Sequence, residues 1–121
     1  MKEEIFRIAY EESNKLGKGE IDKETAIRNI VKAGWSEGNA KITFHIFNSL
    51  MNGEVYSRSM TISQTKIFLD SIFKEYKCPG LTTALKSVKI YLEYYKQREG
   101  KENIGIKKVY QEYIEILKEH C

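Results

Sequence analysis

The sequence predicts an all-α protein, a compact array of about five to six helices with no substantial sheet. Three observations predict it. Apolar residues recur at helical spacing along most of the 121 residues. Residues that start or stop helices stand between those stretches. A single proline, Pro79, and eight glycines leave few breaks in the backbone.

Taken in order, Ile5, Ile8, Ala9 and Leu16 outline a first helix that ends at Gly17-Lys18-Gly19. Asp22 suits the N-cap of a second, with Ile21 and Ala26 spaced as a hydrophobic staple. That helix presents Ala26, Ile27, Ile30 and Val31 and stops at Ala33-Gly34. Ser36 caps a third, which runs to Asn52-Gly53. Its apolar residues (Ala40, Ile42, Phe44, Ile46, Phe47, Leu50, Met51) cover more than half of the circumference, so it is expected to be central and buried.

A connection from Glu54 to Met60 follows. Thr61 and Gln64 form a capping box for a fourth helix carrying Ile67, Phe68, Ile72, Phe73 and Tyr76. Cys78-Pro79-Gly80 breaks it, since proline fits the first turn of a new helix. Leu81, Ala84, Leu85, Val88, Leu92 and Tyr95 then line one face of a fifth, ended by Gly100. A last helix, Gly105 to Glu119, is expected to bury Ile106, Val109, Tyr110, Tyr113 and Leu117. No repeat or long linker divides the chain, so residues 1–121 read as one domain.

Composition narrows the function classes. A net charge of +3 does not announce a nucleic-acid binder, and it argues against a wholesale DNA mimic, which would need an acidic surface. Cys78 and Cys121 are far apart and make no disulfide framework, which points to a reducing cytoplasm. Met1 leads into Lys2-Glu3-Glu4 rather than a secretory signal, and no apolar run is long enough for a membrane span.

Reactive groups are sparse. His45 falls on the polar edge of the third helix, and His120 is expected in a frayed terminus. Neither has metal-ligand spacing, and no phosphate-cradling glycine loop or nucleophile elbow is present. Glu3-Glu4 and Glu11-Glu12 read as solvating residues of the first helix. The expectation is a protein without catalysis, metal or cofactor. Helices two and three resemble a helix-turn-helix in outline. The third, however, is apolar around most of its circumference, and Glu37 at its start repels phosphate, so a plain helical hairpin is expected.

Positive charge gathers late in the chain. Residues 86–108 hold seven bases (Lys86, Lys89, Lys96, Arg98, Lys101, Lys107, Lys108) against three acids, an excess of four. Lys86, Lys89 and Lys96 line one flank of the fifth helix, and Ile90 and Tyr94 lie opposite its core face. Three readings stay open: lysines holding phosphates beside a tyrosine that stacks a base, a dimer seam at Ile90 and Tyr94, or cover by the last helix. The connection after Gly53 offers a second site. Tyr56 and Arg58 would share one side of an extended segment, as a stacking face and a planar phosphate fork, or else pack and cap. The candidate ligand-binding residues are therefore Tyr56, Arg58, Lys86, Lys89, Tyr94, Arg98, Lys107 and Lys108, with Ile90 and Tyr94 as candidate interface.

Between Gly34 and Tyr95, the run Leu50-Met51, Gly53, Tyr56, Arg58, Thr65, Phe68-Leu69, Ile72, Tyr76, Leu81, Ala84-Leu85, Val88 and Tyr94-Tyr95 resembles the helical domain that precedes the nuclease in HNH-type bacterial restriction endonucleases. The likeness covers about half of the chain. It departs from the family pattern at Lys77, where a glycine is common, and at Tyr91, where a histidine is; the nuclease motif itself is absent. The resemblance implies a nucleic-acid-facing or regulatory module in bacterial or phage defence, with Tyr56 and Arg58 as its most distinctive polar pair. A counter-defence inhibitor, gripping a host nuclease or sequestering a nucleotide messenger as a homo-oligomer, is the alternative it leaves open.

Overall fold

The computed structural model describes residues 2–121, and it is helical with no strand among them. Five helices follow one another: α1 (Lys2–Gly17), α2 (Lys23–Lys32), α3 (Glu37–Asn52), α4 (Ile62–Glu99) and α5 (Ile104–His120). The chain forms two compact units that divide within α3, after Asn48.

In the first unit the expected caps are in place. The Asp22 carboxylate accepts from the Thr25 amide at 2.7 Å and starts α2, and the Ser36 hydroxyl accepts from the Asn39 amide at 3.0 Å at the start of α3. Phe6 packs a tilted ring on Trp35, and Tyr10 meets Phe47 edge-on, both with centroids 5.6 Å apart. Ala9, Ala26, Ile30, Ala40, Phe44 and Ile46 fill the rest of that core.

Glu12 corrects the reading of Glu11-Glu12 as a solvated pair. Its side chain is buried, and it accepts a 2.7 Å hydrogen bond from Asn29 Nδ2 and a longer one from Lys15. A buried carboxylate needs such partners, because desolvation without them costs several kcal/mol, on the order of the penalty for an unpaired buried charge.

The second unit is built on α4 and α5. Thr61 caps α4 by accepting from the Gln64 amide. The expected break near Pro79 is real, but it is a single residue wide and falls at Lys77, so the two arms read as one long element. Proline has no N–H to continue the ladder, and its ring clashes with the preceding turn. Lys77 absorbs the misfit with φ 61° and ψ −152°, a conformation that side chains other than glycine rarely adopt. The kink folds Tyr76 close over Gly80, where an added Cβ would lie 2.3 Å from Tyr76 Cβ. Glycine is what that approach permits.

Gly100 ends α4 in the left-handed conformation, and α5 then returns along it. Val109, Ile106 and Tyr113 of α5 are buried, as are Phe68, Leu69, Ile72, Leu81, Leu85 and Val88 of α4. The Tyr113 hydroxyl donates to Asp70 Oδ1 at 2.6 Å, and burial together with this bond pushes its pKa up.

The return of α5 overturns the reading of the cysteines as separate thiols. Cys78 and Cys121 form a disulfide with Cα atoms 6.0 Å apart, linking the end of the chain to the kink in α4. They stand 43 positions apart in sequence, but an antiparallel helix pair brings the ends together. That removes the ground on which the cysteines pointed to a reducing cytoplasm. His120, expected in a frayed tail, is the last residue of α5, with its ring 6.5 Å from that of Phe73. No helix of the described residues is long and apolar enough to cross a membrane.

Candidate functional site

The connection from Glu54 to Met60 is fastened to the second unit residue by residue. Ser87, buried in α4, donates to the Glu54 carbonyl at 2.5 Å, and Ser49 donates to the Val55 carbonyl at 3.2 Å. The Tyr56 ring lies parallel to that of Tyr91, with an interplanar angle of 3° and centroids 4.7 Å apart. The Tyr91 hydroxyl is shared with Ser59 Oγ and accepts from Asn103 Nδ2 at 3.2 Å.

Tyr56 is therefore not a free stacking face: only 2% of it is exposed, and burial raises its phenol pKa. Arg58, expected on the same side, is exposed on the surface. The chain bends at Arg58, which cancels the alternation that an extended segment would have imposed. The two residues do not make one surface. Tyr91 supplies the face that Tyr56 covers.

The late cluster of basic residues divides in two. Arg98 donates to the Ser57 carbonyl at 3.1 Å and pairs with Glu99 at 2.8 Å. Its guanidinium also lies 5.3 Å from the centre of the Tyr94 ring and 5.7 Å from that of Tyr95. These bonds hold Arg98 to the connection and cover a face of Tyr94, which keeps 38% exposure. Ile90 is half-buried rather than fully outward, and Lys86 runs its stem beside Gly53.

On the other flank α4 and α5 enclose a cleft of about 280 Å³. Lys89, Leu92, Glu93 and Lys96 face it from α4, at the i, i+3, i+4, i+7 spacing of one helical stripe. Asn103, Lys107, Tyr110 and Gln111 face it from the start of α5, and Glu102 from the turn between them. Of the residues proposed from sequence, Lys89 and Lys107 meet here. Lys108, adjacent to Lys107, points to solvent and does not line the cleft.

Sequence reasoning missed Tyr110 and Leu92 as lining residues, having assigned both to core faces, and counted Glu102 only as one of three acids among the late basic residues. The paired stripes 89/92/93/96 and 103/107/110/111 were the available signal, since both follow helical periodicity.

The turn is fixed at both ends. Gly100 closes α4, and Asn103 opens α5 by accepting from the Ile106 amide at 3.2 Å while its amide group donates to Tyr91. Between them Glu102 takes both carboxylate oxygens to Lys107 Nζ, at 3.0 and 3.2 Å, and approaches Lys96 Nζ at 4.0 Å. The hydrogen bond from Lys107, then its charge and that of Lys96, hold the Glu102 carboxyl below the usual carboxylate range.

The cleft thus combines three ammonium groups, two carboxylates, a half-buried tyrosine and an apolar floor at Leu92. Such a lining can bind an anion attached to a flat or apolar body. Among the described residues no group of three or more His, Cys, Asp or Glu is placed to hold a metal ion. Comparison with protein-family models, curated proteins and solved structures finds no match to this chain.

Proposed function

We propose that the second unit is a binding module for a phosphate-bearing ligand, nucleotide or nucleic acid, and that it works without catalysis. One observation carries the reading: Lys89, Lys96 and Lys107, from two helices, converge on one cleft that also offers the Tyr110 ring. Ammonium groups act on phosphate as compact point charges, and an aromatic face accepts any base by stacking. A nucleic-acid-facing or regulatory module is what the resemblance to the domain preceding HNH nucleases implies, and a role in defence or counter-defence rests on that resemblance alone.

Isothermal titration with nucleotides at low salt tests the reading. Lys89→Ala with Lys107→Ala should weaken binding about tenfold or more, the loss of two charged hydrogen bonds at roughly 1 kcal/mol each, with the helical circular dichroism unchanged. Arg58→Ala, on a different surface, should leave affinity within about twofold. Binding that ignores the two lysines and the salt concentration would remove the proposal.

A further inference from the structure

Glu102 already occupies the place on Lys107 and Lys96 that an incoming anion would take. We propose that this carboxylate is an internal competitor, and that it sets the ligand class: a nucleotide with a dianionic terminal phosphate rather than a phosphodiester chain. The inference rests on the phosphate reading above and specifies it.

The charges decide the preference. A phosphodiester carries one negative charge, so replacing the Glu102 carboxylate with it exchanges one monoanion for another and gains little. A terminal phosphate carries close to two charges at neutral pH. It has surplus attraction for the same two ammonium groups after the carboxylate has left. The turn is suited to such a replacement. Glu102 stands in a four-residue segment whose ends are anchored by Gly100 and by the Asn103 cap. Its side chain is 45% exposed, so it can swing to water without disturbing either helix. Lys89 has no part in the Glu102 pair and remains to meet the ligand.

Adenosine 5′-monophosphate and adenosine 3′,5′-cyclic monophosphate make a matched pair of probes, since they share a base and differ in phosphate charge. Titrated at pH 7.5 and low salt, the wild type should bind the terminal phosphate several-fold tighter than the cyclic diester. Glu102→Gln removes the competing charge and should tighten both by about two- to fivefold, the range expected from an exposed ion pair. Glu102→Asp keeps the charge and should remain near wild type, which separates loss of competition from loss of the turn.

Equal or weaker binding of the monophosphate by Glu102→Gln, with the lysine variants still impaired, would overturn the competitor and leave the phosphate reading standing. A wild-type preference for the cyclic diester would overturn the ligand class. No binding of either probe, in wild type or in Glu102→Gln, would overturn the phosphate reading together with this inference.

Discussion

Lys77 bears the sharpest local conflict in the molecule. Its φ of 61° and ψ of −152° lie in a region that is essentially reserved for glycine, at a cost of about 1–3 kcal/mol for a side chain. Its Nζ donates to the Lys74 carbonyl at 2.7 Å, an exposed bond that offsets little. Lys77→Gly should therefore raise the stability of the second unit by about 1 kcal/mol net of glycine's greater entropy in the unfolded chain, measured by urea denaturation. No change, or a loss, would show that the kink is relaxed elsewhere. Tyr56 carries the opposite lesson: it is comfortable in the fold and its burial holds its phenol protonated. A pKa raised in the folded state gives stability that is complete below the unfolded value of 10.0 and falls as pH rises beyond it. Stability should thus decline above a pH of about 10, and less steeply in Tyr56→Phe, as followed by the unfolding midpoint across an alkaline series. The burial of Tyr56 could not be read from sequence, because the ring that covers it belongs to Tyr91, thirty-five positions further on.

The helices themselves were legible, because each boundary rests on local chemistry. Asp22, Ser36, Thr61 and Asn103 accept from backbone amides three residues ahead, and only the last of these went unread as a cap. What the sequence hid is how α5 lies on α4, and the disulfide is the clearest case. Closing a loop of some forty residues removes unfolded-state entropy worth roughly 4 kcal/mol on the chain-entropy model. Cys78→Ser with Cys121→Ser should lower the unfolding midpoint of the second unit by up to that much, and a dithiol reductant should bring the wild type down to the same midpoint. A reductant-insensitive midpoint in the wild type would mean that the bond contributes nothing to this pair of helices. Two glycines mark a tight approach within α4, at its kink, and a forgiving one between α5 and α4. A Cβ at Gly80 would press on Tyr76 Cβ at 2.3 Å, near its own backbone, whereas one at Gly105 would meet the terminal methyl of Ile62 at 2.7 Å. Ile62 is 48% exposed and can rotate away. Gly80→Ala should cost about 2–3 kcal/mol, and Gly105→Ala should stay within about 1 kcal/mol of wild type, helped by alanine's better helix propensity.

Over the whole molecule the charge is modest, +3, and its placement matters more than its sum. The excess between Lys86 and Lys108 was visible as composition, but the division of those bases between two flanks was not. Arg98 turns toward Ser57 because Tyr94 and Tyr95 offer it their rings, and Lys107 turns toward Glu102 because Gly100 reverses the chain just there. The two rings follow helical spacing along α4, but the Ser57 carbonyl and the Glu102 turn lie outside that helix, and no periodicity places them. Only three lysines remain around the cleft, which limits how many phosphates the proposed ligand can present. A mononucleotide carries no condensed counterion atmosphere to release, so its binding should weaken only by screening, and log K should fall with log salt less steeply than the slope of about −2 that three phosphate contacts to a strand would give. A surface that tracks six or more phosphates of a strand would give a slope of about −4 or steeper. Lys96→Gln should flatten the slope, while Lys101→Gln and Lys108→Gln, outside the cleft, should leave it unchanged. A steep slope that Lys101 and Lys108 share with the cleft lysines would instead mark the whole basic flank as a nucleic-acid track, and a nucleotide-sized site would no longer describe this unit.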